Sequence, residues 1–156
     1  MAKQPSNKDM AMSEMSNRIF FRLYQCANMM HKTGTRALEE YGITTQQWAV
    51  LGALTRPQAA GGMQVGDLAK FLLVSRQNLT GVINRMERDG YIERVKDASD
   101  GRSRRVRLTG RGERVWQSIT PLIYAYYDEA LKEFSFNDRV GFFHHLNSLL
   151  GNMERL

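Results

Sequence analysis

The sequence predicts a mainly α-helical protein with one small β-hairpin, in which long helices at both ends flank a compact middle segment. Apolar residues at helical spacing dominate both ends of the chain. In the middle, two runs rich in β-branched and aromatic residues enclose a polar, glycine-containing turn. The length of 156 residues is that of one domain. We expect a disordered tail over residues 1–13 and a single domain over residues 14–156.

The composition excludes several classes of protein. Hydrophobic residues make up 42% of the chain and charged residues 24%, which is too apolar for a disordered protein, and no apolar run is long enough to cross a bilayer. The tail lacks the apolar segment of a secretion signal. A single cysteine, Cys26, excludes an intramolecular disulfide and a cysteine-rich zinc site. We expect a cytoplasmic protein without a metal or cofactor and without membrane contact.

The first helix is expected from about Met15 to Glu40, with Gly42 as the residue that ends it. Its apolar residues recur at alternating steps of three and four, the spacing of a stripe that packs against another helix. These residues are Phe20, Leu23, Ala27, Met30, Gly34, Ala37 and Tyr41. Thr44 or Thr45 caps a second helix. After a loop broken by proline and paired glycines, a short third helix is expected over Val65–Phe71.

A fourth helix is expected to begin after the capping residue Ser75 and to end at Asp89, with Gly90 in the turn that follows. Its inward positions are apolar: Leu79, Val82, Ile83 and Met86. Its outward positions carry arginine and short polar side chains: Arg76, Gln77, Thr80, Gly81, Asn84 and Arg88. This outward face lacks the Glu–Lys pairs of a helix that is only solvated.

The two β-rich runs, Tyr91–Val95 and Arg105–Leu108, are expected to form a hairpin with a long basic tip between them. Thr109 caps a fifth helix from about Arg111 to Phe134, in which Pro121 removes a backbone hydrogen bond and should produce a kink. A last helix follows a short break, and its apolar stripe repeats the spacing of the first. The stripe consists of Phe142, Leu146, Leu149, Met153 and Leu156.

Short helices followed by a β-hairpin form a winged helix-turn-helix, here over residues 44–109, between long helices over residues 14–42 and 111–156. The net charge is +6, and the segment from Ser75 to Arg114 alone holds eleven Lys and Arg against six Asp and Glu. A helix fills the DNA major groove, where arginine and short polar side chains read base edges, and a basic hairpin tip suits the narrow minor groove. The sequence therefore favours binding of double-stranded DNA. A winged helix used only for protein contacts is the alternative.

The wing and the helix-turn-helix carry the residue patterns of one family. In the wing these are Asp100-Gly101-Arg102 followed by Val106-Arg107-Leu108-Thr109. In the helix-turn-helix they are Asp67-Leu68-Ala69, Val74-Ser75-Arg76, Leu79-Thr80 and the run from Met86 to Ile92. Together they resemble the MarR (multiple antibiotic resistance regulator) family over nearly the whole chain. The resemblance implies a homodimeric transcription regulator of a pseudo-palindromic operator, and we expect a repressor that a small aromatic or phenolic acid releases from DNA.

By this resemblance, DNA-binding residues lie at the start and on the outward face of the fourth helix and in the wing. They are Ser75, Arg76, Gln77, Asn78, Thr80, Asn84, Arg85, Asp100, Arg102, Arg104 and Arg105. Arg102 would enter the minor groove while Asp100 holds its guanidinium group. The adjacent Arg104 and Arg105 would extend the contact with phosphate. Which arginine reads a base and which only anchors the protein stays open.

Dimerisation is also expected from the apolar stripes of the first and last helices. They are too large for one small domain to bury, so they should pack across a two-fold axis. The alternative is that they bury against each other within one subunit. Two recognition helices about 34 Å apart would read successive major grooves, and a single one contacts too few base pairs for specificity.

The resemblance places a ligand pocket where the flanking helices meet the winged domain. An aromatic acid there needs stacking walls and a partner for its carboxylate. The candidates are Arg18, Arg22, His31, Trp48 and Trp116. The alternative is that the tryptophans are core residues and the arginines are charges on a helix surface.

A redox-responsive regulator remains as an alternative to the ligand-responsive one. Cys26 allows a redox-responsive regulator, but it has no partner cysteine in its chain, so the role of a small apolar residue is favoured. An enzyme is not expected, because the sequence has no phosphate-binding loop, no G-x-S-x-G motif and no metal-ligand spacing. His144 and His145 are adjacent, so on a helix they point in different directions and cannot share a metal.

Overall fold

The computed structural model describes residues 6–156, which form α-helices and a three-stranded antiparallel sheet. The helices are α1 (Asn7–Ala37), α2 (Thr45–Leu54), α3 (Val65–Leu72), α4 (Arg76–Arg88), α5 (Gly110–Ala130) and α6 (Phe136–Met153). The strands are β1 (Met63–Gln64), β2 (Ile92–Lys96) and β3 (Arg104–Leu108). The predicted fold class is confirmed: a mainly α-helical chain with a β-hairpin wing, and long helices on both sides of a winged helix-turn-helix.

The core lies within the winged helix-turn-helix and against the middle of α5. Four residues predicted to face inward from the fourth helix are all buried: Leu79, Val82, Ile83 and Met86. They pack with Leu51 of α2, Leu68 of α3 and Ile119 of α5, none of which is exposed to solvent. Each such side chain stabilises the fold by about 1.5–3 kcal/mol when it leaves water. The orientation of α4 is fixed by this burial, which leaves its polar face outward.

Helix α1 begins eight residues earlier than predicted, at Asn7 instead of about Met15. Ser6 Oγ accepts a hydrogen bond from the Asp9 amide at 3.2 Å, and Asp9 Oδ2 accepts one from the Ser6 amide at 3.0 Å. This reciprocal pair is a capping box, which satisfies amides that the first turn leaves free. The expected disordered tail over residues 1–13 is therefore wrong for residues 7–13, and residues 1–5 lie outside the described part of the chain.

The sheet has one strand more than the predicted hairpin. Strand β1 pairs antiparallel with β3, Met63 opposite Val106 and Gln64 opposite Arg105. The close approach depends on Gly62, whose φ is +95° and where a Cβ atom would lie 2.7 Å from the Val106 carbonyl oxygen. A strand of two residues is too short to show an alternating pattern, so sequence periodicity cannot reveal it.

Helix α5 is capped by Thr109 as predicted, but it ends at Ala130 rather than at Phe134. It runs through Pro121 as continuous helix, with the proline ring on the exposed side. Helix α6 then begins at a second capping box, formed by Ser135 and Asp138. Neither α1 nor α6 buries a residue within the described chain. Over residues 6–156 no helix combines the length and the apolar character needed to cross a bilayer.

Candidate DNA interface and ligand cavity

The N-terminus of α4 is fixed by Ser75, whose Oγ accepts a hydrogen bond from the Asn78 amide at 3.1 Å. The predicted DNA-contacting residues of α4 are all exposed: Arg76, Gln77, Asn78, Thr80, Asn84 and Arg85. Within residues 6–156, neither Arg76 nor Arg85 forms an ion pair, so both guanidinium groups are available to phosphate or base edges. Thr80 donates its hydroxyl hydrogen to the Arg76 carbonyl at 2.8 Å, which leaves its oxygen as an acceptor.

Asn84 lies on the outward face of α4, but its side chain is already hydrogen-bonded within the protein. Its Oδ1 accepts a hydrogen bond from Arg94 Nη2 at 2.8 Å, and Arg94 also forms an ion pair with Glu87. Arg94 lies on β2, so these contacts join the recognition helix to the wing. Arg94 is not among the residues predicted from the sequence, because no spacing rule links a strand residue to a helix that ends before it.

The wing tip presents Arg102 to solvent, but the predicted contact with Asp100 is wrong. Asp100 Oδ1 accepts a hydrogen bond from the backbone amide of Arg102 at 3.0 Å and does not hold its guanidinium group. A short carboxylate side chain readily bonds the amide two residues later, because this closes a tight turn. Asp100 therefore shapes the turn through Gly101, and no ion pair involves the Arg102 side chain within residues 6–156.

Arg104 and Arg105 lie on opposite faces of β3, because side chains alternate along a strand. Arg104 is exposed, and no ion pair involves it within the described residues. The Arg105 side chain is only 34% exposed, and its Nη1 lies 3.4 Å from Asp97 Oδ2. Of the predicted arginine pair, Arg104 is therefore free to meet phosphate and Arg105 serves the base of the wing.

A second feature of the site is a cavity of about 220 Å³ between α1, α2 and the recognition helix. Its walls are mostly apolar. They are formed by Met30, His31, Thr45, Gln46, Trp48, Ala49, Val50, Leu72, Val74, Asn78, Leu79 and Val82. His31 Nδ1 is hydrogen-bonded to Thr45 Oγ1, and the Thr45 amide donates to Thr35 Oγ1 at 3.3 Å. These bonds fix the start of α2 against α1.

The cavity brings together two of the five residues predicted to bind a ligand, His31 and Trp48. Arg18 and Arg22 are too far away within one subunit, because α1 rises about 1.5 Å per residue and they precede His31 by about 20 and 14 Å. Arg18 instead pairs with Glu14 at 2.9 Å. Arg22 lines a surface depression beside Cys26.

Trp116 is also separated from the cavity. It lies against α2 one turn beyond Trp48, with its ring 3.2 Å from the position that a Cβ of Gly52 would occupy. There it lines a different surface groove, formed with the loop after α2 and with β3. The two tryptophans thus report on different surfaces, which sequence spacing alone did not separate.

A smaller apolar cavity of about 40 Å³ lies on the other side of Trp48, against α5. Burial raises the pKa of Tyr127, which lines it. Tyr126 joins α5 to α1 through a 2.8 Å hydrogen bond between its hydroxyl and Thr33 Oγ1.

Among the described residues, no His, Cys, Asp and Glu side chains gather in the number that a metal ion requires.

Comparisons with known proteins agree with this arrangement. Residues 41–103 match the model of the MarR family. The transcriptional activatory protein BadR of Rhodopseudomonas palustris is 60% identical over 147 residues, which cover 94% of this chain and 84% of BadR.

Two solved structures share the fold at low identity. The MepR–DNA complex of S. aureus has a TM-score of 0.75 at 22% identity and is matched over 85% of this chain and 96% of MepR. The organohalide-sensing regulator RdhR, in its 2,4-dichlorophenol-bound form, has a TM-score of 0.78 at 19% identity over 97% of this chain and 88% of RdhR. With the winged helix-turn-helix and the 60% identical regulator, the conclusion is direct: this chain belongs to the MarR family and is a DNA-binding transcription regulator.

Proposed function

We propose that the protein is a homodimeric regulator whose binding to an operator responds to a small aromatic acid or phenol. The observation that carries this proposal is the shared wall between the cavity and the recognition helix. Asn78, Leu79 and Val82 of α4 line one side of the cavity, and Met30 and His31 of α1 line another. A ligand that fits one separation of these helices better than another shifts the position of α4, and DNA selects between the same positions.

The walls define the chemistry of the ligand. At about 220 Å³, the cavity is smaller than the roughly 300–1,000 Å³ of most small-molecule sites, which favours a single-ring compound. Trp48 offers a stacking surface. Within the described residues no Lys or Arg lines the cavity, so a carboxylate or phenolic oxygen would be held by His31 and the polar groups around Thr45. The phenol-bound state named for RdhR supports this class of ligand.

The homodimer is proposed from the unpartnered surfaces of α1 and α6. Both helices expose large apolar side chains, among them Ile19, Phe20, Phe21, Phe142, Phe143 and Leu150. So many exposed large apolar side chains on two helices are typical of a subunit interface. DNA contact is part of the same proposal for the predicted residues of α4 and for Arg102 and Arg104 of the wing, with Arg76, Arg85, Arg102 and Arg104 as the cationic anchors. Asp100 and Arg105, also predicted to contact DNA, support the wing from within.

We propose activation as the direction of regulation, in place of the repression expected from sequence. BadR, at 60% identity, is named an activatory protein. Deleting the gene should then lower transcription from the target promoter, and a repressor would give the opposite result. A reporter fused to the neighbouring promoter measures this directly.

The proposal is tested by titrating purified protein onto its own upstream DNA and onto an unrelated duplex, at several salt concentrations. We expect selective binding that weakens steeply with salt, because phosphate contacts release counterions. Arg102→Ala should lower operator affinity by about tenfold or more while the circular dichroism spectrum stays unchanged. Equal binding to both duplexes would refute selectivity for the operator, and binding that is absent or independent of salt would favour a protein-interaction module.

The ligand site is tested by tryptophan fluorescence during titration with benzoate, hydroxybenzoates and chlorophenols. The chain has two tryptophans, so Trp116→Phe leaves Trp48 as the reporter and Trp48→Phe leaves Trp116. We expect quenching in the first variant and little change in the second. The opposite pattern would move the site to the Trp116 groove. A response of DNA binding to peroxide that Cys26→Ser abolishes, without any ligand effect, would support the redox alternative instead.

A further inference from the structure

The base of the wing contains a buried carboxylate that the proposed function does not use. Asp97 begins the loop of the hairpin and is 6% exposed, whereas Asp100 and Arg102 in the same loop are exposed. A buried charge is costly unless hydrogen bonds and opposite charges compensate it. The contacts of Asp97 therefore show which groups compensate its charge at the base of the wing.

Both oxygens of Asp97 are occupied. Oδ1 accepts hydrogen bonds from the Ser99 amide at 2.9 Å and from the Ser99 hydroxyl at 2.7 Å. Oδ2 accepts one from Gln64 Nε2 at 3.2 Å and lies 3.4 Å from Arg105 Nη1. The Ser99 hydroxyl and amide, followed by Gln64, hold the pKa of Asp97 well below its usual range, so the group is ionised near neutral pH.

Gln64 brings in a second part of the fold. It lies on β1, directly before α3 of the helix-turn-helix, and its Nε2 also lies 3.3 Å from Ser103 Oγ at the far end of the wing loop. The loop is closed at the same level by a 3.1 Å hydrogen bond from the Asp97 amide to the Ser103 carbonyl. Asp97 and Gln64 thus fasten both ends of the loop to the edge of the helix-turn-helix.

We propose that Asp97, held by Gln64, is a positioning residue that sets the direction in which the wing presents Arg102 to DNA. The inference rests on the proposed function, because it requires Arg102 to contact the operator. Electrostatics argues against a role in attraction, since a carboxylate beneath a basic tip lowers the positive potential that DNA meets. Its contribution to binding must therefore come from geometry.

The opposite signs of these two effects make the proposal testable. If Asp97 acted only through its charge, Asp97→Ala would strengthen binding to any duplex. If it positions Arg102, Asp97→Ala lowers the ratio of operator to non-operator affinity by about tenfold, close to the loss in Arg102→Ala. Asp97→Asn keeps the acceptor for Ser99, and the Gln64 amide can turn over to accept from the new amide. We expect this conservative variant to retain most of the ratio.

The experiment measures both affinities by fluorescence anisotropy for wild type, Asp97→Ala, Asp97→Asn, Arg102→Ala and the double Ala variant. Glu40→Ala removes one exposed negative charge far from the wing and serves as the charge control. We expect the double variant to bind like Arg102→Ala alone, because a positioning residue has no effect once its target is gone. A loss that came only from lower global stability would instead add to the loss in Arg102→Ala. Circular dichroism at the assay temperature verifies that each variant is folded.

Three outcomes would overturn the inference: an unchanged ratio in Asp97→Ala, equal losses in Asp97→Ala and Asp97→Asn, or additive losses in the double variant. These are distinct from failure of the proposed function. If Arg102→Ala itself binds the operator as wild type does, the wing contact is wrong and the positioning role is refuted with it. If Arg102→Ala loses affinity and Asp97→Ala does not, only the positioning role is refuted.

Discussion

At the scale of single residues, two helical glycines differ in whether the surrounding structure leaves space for a side chain. Gly112, in the first turn of α5, lies against the backbone of Tyr91, and a Cβ there would be 2.0 Å from the Tyr91 carbonyl oxygen. Gly81, in the middle of α4, has no atom within 4 Å of the corresponding position. Both glycines are helical, so their different surroundings decide the effect of a methyl group.

We expect Gly112→Ala to lower the free energy of unfolding by about 3 kcal/mol or more, because the backbone of Tyr91 must move. Gly81→Ala is the matched control. It should raise the free energy of unfolding by about 1 kcal/mol, because alanine is the better helix former and meets nothing. Urea unfolding followed by circular dichroism measures both. Similar changes of the same sign in the two variants would show that the packing of α5 on Tyr91 is looser than described.

Residue identity by itself predicted much of the exposed polar surface of α4 and less of the cavity. The outward residues of α4 are exposed because the apolar residues between them are buried, and both sets follow from one helical period. The partner of Asp100 was mistaken, because sequence cannot tell a side-chain bond to a backbone amide from one to a guanidinium group two residues away. Trp116 lines a different groove from Trp48, which the sequence could not show, because aromatic type gives no direction.

At the scale of elements, hydroxyl caps decide where helices begin and how neighbouring elements meet. Thr109 joins the turn after the recognition helix to the start of α5. Its Oγ1 donates to the Gly90 carbonyl at 2.6 Å and accepts from the Gly112 amide at 3.1 Å. One hydroxyl thus satisfies groups at the ends of two helices, which places the wing hairpin between fixed points.

Removing this one hydroxyl should lower the free energy of unfolding markedly. We expect Thr109→Ala to lower the free energy of unfolding by about 2 kcal/mol, the upper end for a helix cap, because the Gly90 carbonyl also loses its donor. Thr109→Ser keeps the hydroxyl and should stay within about 0.5 kcal/mol of wild type. Thermal and urea unfolding measure the difference. A serine variant as unstable as the alanine variant would assign the effect to the threonine methyl group.

Element boundaries were predicted well where a cap stands next to an apolar period. Thr44, Ser75 and Thr109 all cap helices in the structure. The start of α1 was missed although Ser6 and Asp9 have capping-box spacing. The residues that follow them do not show the regular apolar spacing of a helix that packs on the core. Strand β1 was missed because its pairing partner lies about forty residues later, at Arg105 and Val106.

At the scale of the whole molecule, the apolar residues of the winged helix-turn-helix differ in burial from those of α1 and α6. The winged helix-turn-helix buries its apolar residues within the chain, whereas α1 and α6 bury none. The stabilisation of these two helices must come mainly from packing outside the described chain, since helical propensity alone is weak. In the proposed homodimer, a second copy of the same chain would supply a matching stripe.

We expect sedimentation equilibrium to give twice the mass of one chain at micromolar concentration. Phe142, 49% exposed on the α6 stripe, is the position to disrupt. Phe142→Asp places a charge in the interface and should shift the protein toward monomer, with weaker operator binding because two half-sites are no longer bound together. Asn147→Asp, on the opposite side of α6, is the matched control. A wild-type monomer, or equal effects in both variants, would contradict the dimer.

The sequence by itself determined the winged helix-turn-helix, the division of α4 into a buried apolar side and an exposed polar side, and the basic wing. These features depend on contacts within a few residues and on a repeated spacing, both of which can be read along the chain. The tertiary structure decided which tryptophan faces the cavity beside His31, and that Gln64 fastens Asp97 across 33 positions. Such contacts depend on where helices and strands cross, and local periodicity does not encode the crossing.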